Sequence, residues 1–187
     1  IFVSFLMTSG KFGDVELAAT QILLQFLHIS SYGMDGFAFA AEVLVGQAVG
    51  KSNRFMLRDA VIKSALWTFV IAIFLALIYA LFGSFFIKIM TTSDEVILAS
   101  EAFLIFIVLG PIFGALPFLM DGIFVGATRS IDMRNMMFLS LIIYVVSAYV
   151  LIDLYGFYGL WLALLVSYAA RGISLVIRYP KLEKSIS

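Results

Sequence analysis

Four apolar runs, Ala65–Ile89, Ala99–Phe124, Met136–Ile152 and Leu160–Ile177, are each parted from the next by a short polar or turn-forming stretch. A bilayer core takes about 20 mainly apolar residues per helix, and backbone polar groups in lipid must be paired within the segment, so runs of this length predict spanning helices. A fifth segment, Val15–Gly50, is 36 residues long and is too long for one upright span. Two spans would use nearly all of it and leave Ser30, Ser31, Tyr32 and Gly33 as a cramped turn, whereas one tilted helix needs no turn. The composition agrees with this reading: 63% of residues are hydrophobic and the mean hydropathy is +1.10, well outside the soluble range. The expected class is an all-α integral membrane protein, a polytopic helical bundle.

The basic residues choose between one helix and two. With a single long helix, Lys51, Arg54, Arg58, Lys63, Arg129, Arg134, Arg171, Arg178, Lys181 and Lys184 fall on one side of the membrane, and only Lys11 and Lys88 fall on the other. Splitting the segment moves Lys11 alone, so the single helix is preferred. The positive-inside rule then makes the basic side cytoplasmic, together with the C-terminus, in a multi-pass protein of the cell's inner (plasma) membrane. The chain starts with Ile, and its first apolar run, Ile1–Met7, is too short to span and is not a signal peptide. It reads as a fragment cut inside its first helix, Ile1–Phe12, followed by five full helices.

Several function classes drop out. There is no cysteine, which removes disulfides, thiolate metal sites and cysteine nucleophiles. Twelve basic and twelve acidic residues leave no net charge, so nothing points to nucleic acid. The stretch Gly46–Ser52, GQAVGKS, resembles a phosphate-binding loop but encloses three residues where that loop has four, and it follows a membrane helix rather than a strand. Without a nucleotide site, transport would draw on an ion gradient. No hydrolase or metalloprotease motif occurs, and the single His28 reads as packing or a local hydrogen bond. Pro111 and Pro117 give the helix around them a broken look. Gly46/Gly50, Gly110/Gly114 and Gly122/Gly126, spaced by four, let helix backbones approach closely in lipid.

The intramembrane acids carry the functional signal. An ionised Asp at the centre of a spanning helix costs roughly 2.5–3.5 kcal/mol, so Asp35, Glu42 and Asp121 need partners or a task. Asp35 and Glu42 are seven residues apart and share one helix face. Glu42 lies eight residues before Gly50 and Asp121 eight before Arg129, which puts both about 12 Å inside one boundary. Arg171 reaches a similar layer as a snorkelling or structural cation, and Asp35 sits about 10 Å nearer the membrane middle. The expectation is a polar layer of Glu42, Asp121 and Arg171 with Asp35 above it. A structural ion pair such as Asp121–Arg171 is the bland alternative for these charges. Burial disfavours a charged carboxylate, and a proton or bound cation removes that charge; if the two forms favour different helix packings, ion binding is coupled to which way a cavity faces. The proline helix beside Asp121 is the candidate bistable element.

The segments GMDGFAFAAEVLVGQAVG (33–50), LPFLMDGIFVGATRSIDMRN (116–135) and LWLALLVSYAARGISLVIR (160–178) together resemble the C-terminal half of a multidrug and toxic compound extrusion (MATE) transporter, nearest the DNA-damage-inducible F (DinF) branch. The resemblance runs from about Gly10 to Pro180. It implies a twelve-helix antiporter of two six-helix lobes around a central cavity, exporting small organic, often cationic, molecules against H⁺ or Na⁺ and using no other cofactor. Residues 1–187 would be helices seven to twelve, with the N-terminal lobe missing. The family pattern places Asp35, Glu42 and Gln47 on the eighth helix, and Asp121 with Gly126, Arg129 and Arg134 on the tenth. Sodium-coupled relatives use an acid on the tenth helix, spaced about one turn further from the following glycine, so Asp121 matches it by helix and face. Asp35, Glu42 and Asp121 are thus candidates for ion coupling or substrate binding, with Gln47 and Arg171 in support. Two other readings stay open: a flippase of lipid-linked precursors, which a basic cavity would favour, and a non-transporting membrane scaffold.

Overall fold

In the computed structural model, which describes residues 1–186, six helices follow one another: α1 (Phe2–Ser9), α2 (Asp14–Gly50), α3 (Arg54–Met90), α4 (Asp94–Gly126), α5 (Ser130–Tyr155) and α6 (Phe157–Lys184). The long segment is one uninterrupted helix of 37 residues, as the charge distribution required. Helices α3, α4, α5 and α6 are long and apolar enough to cross a membrane. Helix α2 is long enough but more polar, since His28, Asp35, Glu42 and Gln47 interrupt its apolar face. Each spanning helix outruns its apolar window; α3 begins at Arg54, eleven residues before Ala65, because the helix continues past the lipid slab into the charged end. Helix α4 runs through Pro111 and Pro117 without a break, so the broken helix expected from composition is absent. Both prolines are buried against neighbouring helices, the setting in which a spanning helix tolerates the lost hydrogen bonds.

Helices α2 and α4 form the centre of the bundle. Helix α3 covers one flank of the pair, α6 packs on the other side of α4, and α5 lies outermost against α6. The central seam is built from small residues. A Cβ on Gly122 would collide with the backbone of Ala38, and one on Gly126 with the backbone of Glu42; at Gly46 it would reach the Gly126 carbonyl at 3.5 Å. Further along, Gly110 receives the Leu27 side chain and Gly114 the Met34 methyl, at 3.3 Å from where a Cβ would be. The contacts climb together along both helices, so α2 and α4 run parallel with Ala38 level with Gly122 and Glu42 level with Gly126. In lipid, where apolar burial drives helix association weakly, such close backbone approach is the main source of packing energy.

The two larger of three cores flank this seam, the smallest being Met34, Ala72 and Ala115. At one end Trp161, Phe5, Phe103 and Phe106 cluster, with the Phe5 and Trp161 rings edge-on at 4.8 Å. There a buried hydroxyl triangle also ties α2 to α3: Tyr79 donates to the Phe26 carbonyl at 3.0 Å and lies 3.0 Å from the Ser30 hydroxyl. At the other end the packing is of Ala41, Val45, Ala48, Leu57, Ile123, Phe124 and Leu175. The outer faces of α3 and α5 expose Leu66, Trp67, Phe74, Phe138 and Val145, as a lipid-facing surface requires.

The charged end is knitted by backbone as well as side chains. Helices α2 and α4 end in the same left-handed turn, at Ser52 (φ 49°) and Thr128 (φ 57°), with Asn53 N–H donating to the Ala48 carbonyl at 3.0 Å and Arg129 N–H to that of Phe124 at 2.8 Å. From these turns Arg54 donates to the carbonyls of Ile186 (2.5 Å) and Lys184 (3.2 Å), and Arg129 to that of Lys181 (3.4 Å). Arg58 pairs with Glu183, and Arg178 with Asp132 at 2.5 Å. The α2–α3 turn, the α4–α5 turn and the end of α6 therefore share one end of the bundle, where the sequence puts its basic residues. The glycine seam yields a direct test by thermal unfolding of the purified protein in detergent. Gly126→Ala puts a methyl into the Glu42 backbone and should cost about 1–3 kcal/mol, lowering Tm. Gly36→Ala, with nothing within 4 Å of its Cβ, should leave Tm unchanged or raise it.

Candidate functional site

The seam fixes where the acids lie. Asp121 directly precedes Gly122 and so falls level with Phe37, about 3 Å along the axis from Asp35 and about 7.5 Å from Glu42. The layer expected from sequence is thereby corrected: Asp121 lies between the two α2 carboxylates and nearer Asp35. Counting depth from Gly50 and Arg129 assumed that the two helices end level. In fact α4 ends at Gly126, beside Glu42 and Gly46, while α2 continues beyond it to Gly50.

All three carboxylates open onto one cleft of about 490 Å³ between α2 and α4, whose wall also carries His28, Ser31, Phe39, Phe118 and Arg171. Asp35 and Glu42 are half-buried and, among the described residues, neither forms an ion pair or side-chain hydrogen bond. Asp121 differs. The Arg171 guanidinium reaches across from α6 and donates through Nη2 to Oδ2 at 2.5 Å, with about a quarter of each side chain exposed. The contact is single: Asp121 Oδ1 and Arg171 Nε are both buried without a hydrogen-bond partner, so the pair does not use the two-pronged geometry an arginine fork allows. The ion pair offered by the sequence as the bland alternative therefore exists, and it sits in the wall of the cleft rather than in a closed core.

Arg171 also borders a hollow beside Ile1, the first residue of the given sequence, together with Arg134, Ser140 and Tyr168.

Other sequence candidates fall elsewhere. Gln47 is exposed on the last turn of α2 and is not part of the cleft wall. Among aromatic residues of α2 and α4, Phe39 and Phe118 line the cleft, Phe124 is fully buried in the lower core, and Tyr32 is 75% exposed. His28 is the residue that sequence reasoning passed over. It stands edge-on to Phe2 at 5.5 Å and faces the cleft, seven residues before Asp35 on the same face of α2. That spacing was the available signal. Gly46–Ser52 is a helix end and turn with no preceding strand, so the phosphate-loop resemblance has no structural counterpart. Among the described residues, no group of three or more His, Asp or Glu is placed to hold a metal ion. Chemically, the cleft offers two unpaired carboxylates, one carboxylate neutralised by an arginine, and aromatic walls, a lining suited to organic cations.

The comparisons agree with this architecture. The family model for MatE matches residues 1–150. DNA damage-inducible protein F of Escherichia coli (strain K12) is 32% identical over 174 residues, covering 93% of this chain and 38% of that protein. The crystal structure of the eukaryotic MATE transporter AtDTX14 superposes with a TM-score of 0.82 over 92% of this chain and 40% of its own, at 18% identity, a likeness of fold. The chain thus spans about two fifths of the length of the relatives it matches. Family match, curated relative and shared helical fold lead to one conclusion: the chain is a multi-pass membrane protein that belongs to the MATE family.

Proposed function

We propose that residues 1–187 form the C-terminal six-helix lobe, helices seven to twelve, of a twelve-helix MATE transporter that exports small organic cations in exchange for H⁺ or Na⁺. The observation that carries the reading is the convergence of Asp35, Asp121 and Glu42 on one cleft in a chain of this family. A coupled transporter binds cargo and coupling ion near the middle of the bilayer and makes their occupancies interdependent. Carboxylates from two tightly packed helices supply such a place: the charge that a cation or proton removes from one is felt by the others. In this reading the N-terminal lobe closes the cleft from the opposite side and the basic end of the bundle faces the cytoplasm. The bilayer is the solvent for the outer faces of α3 and α5. A flippase for anionic lipid-linked cargo is the weaker reading, because the cleft is lined by three carboxylates against one guanidinium.

The test is reconstitution of the intact two-lobe protein in vesicles with an imposed pH or Na⁺ gradient, followed by efflux of a fluorescent organic cation. Efflux that depends on one gradient and not the other identifies the coupling ion, and efflux indifferent to both contradicts the reading. In the same assay Asp121→Asn should abolish the gradient-driven component, down to the level of protein-free vesicles. Asp35→Asn should weaken cargo binding, seen as a raised half-saturating cargo concentration. Unchanged gradient-driven efflux in Asp121→Asn would sink the coupling role.

A further inference from the structure

We infer that Arg171 is a tethered competitor for the cargo: its guanidinium occupies the cation position on Asp121, and a bound organic cation takes that position by displacing it. The inference rests on the transport reading above and adds the residue that sets how tightly cargo is held. Two observations support it. The guanidinium is itself an organic cation, held at 2.5 Å on a carboxylate that lines the cleft. Its hold is a single hydrogen bond, with Asp121 Oδ1 and Arg171 Nε left unpartnered, so the pair is less tightly made than a two-pronged arginine–carboxylate contact.

A guanidinium displaced from Asp121 loses the one carboxylate that it pairs with among the described residues. It is therefore driven back to Asp121 once the cargo leaves, so that release of cargo and re-formation of the ion pair are one event. Asp35 and Glu42 have no such internal partner and attract a cation without competition. Cargo affinity is then the difference between two ion pairs, which keeps binding weak enough for release.

Equilibrium binding of tetraphenylphosphonium to the purified intact two-lobe protein tests this. Arg171→Gln should bind the probe more tightly, roughly tenfold, in the range that coupled sites show. The gain should vanish when Asp121→Asn is added, because no carboxylate remains to be contested. In Arg171→Ala, added guanidinium ion should compete with the probe more strongly than in the parent protein, where only Asp35 and Glu42 are open to it. Arg171→Lys keeps a charge and should stay near the parent affinity, and its elution from gel filtration reports folding independently. Equal or weaker probe binding in a folded Arg171→Gln, or guanidinium competition in Arg171→Ala no stronger than in the parent, would overturn the inference and leave the transport reading standing. If Arg171→Gln does not fold, the Arg171→Ala competition decides alone. Absence of probe binding by the parent protein would overturn both.

Discussion

Everything in this bundle depends on how closely α2 and α4 approach. Gly122 and Gly126 lie directly on the backbone of Ala38 and Glu42, and the seam continues through Gly110 and Gly114 against Leu27 and Met34. In a bilayer the surrounding acyl chains are as apolar as leucine, so a helix pair gains from burying side chains only what it gains in contact and in excluded lipid. Two pairs of glycines spaced by four, Gly110/Gly114 and Gly122/Gly126, supply that contact by removing the side chains that would hold the axes apart. The same contact fixes the axial register of the two helices, and with it the depth of every polar group they carry.

That register turns three costly charges into one site. Asp121 comes between Asp35 and Glu42 on the wall of a common cleft, and α6, packed on the other side of α4, brings Arg171 to it. One carboxylate is thereby neutralised from within the protein and two are left for something else. The clasp at the basic end serves the same arrangement. Arg54 and Arg129, projecting from two identical turns, hold carbonyls of the last turns of α6, which limits how far the helix bearing Arg171 can shift against α2 and α4.

Much of this was legible in the sequence, and the part that was not has a physical reason. Hydropathy located the spans and the charge distribution decided that Val15–Gly50 is one helix, because both report on a bilayer that treats every segment alike. Glycine spacing marked the helix faces that pack. The acids were visible as costs, and Asp121–Arg171 as one way of meeting them. Relative depth was not legible. It is set by which residue of α4 meets which residue of α2, a tertiary contact that no count from loop ends contains, and such a count puts Asp121 at the level of Glu42. Gln47 was carried by family pattern rather than by geometry and lies outside the cleft, whereas His28, two turns from Asp35 on the same face, lies within it. Composition also overstated the prolines, because it cannot register the neighbours that let α4 pass through Pro111 and Pro117 unbroken.

The central claim, that the glycine seam places Asp121 beside Asp35 and away from Glu42, is open to measurement because the chain has no cysteine to interfere. Cysteine pairs introduced as Asp35→Cys with Asp121→Cys, and as Glu42→Cys with Asp121→Cys, can be treated in membranes with bifunctional thiol reagents of graded length. The register predicts that the first pair is bridged by shorter reagents than the second. Bridging of the Glu42 and Asp121 positions by the shorter reagents, with the Asp35 pair left open, would contradict it.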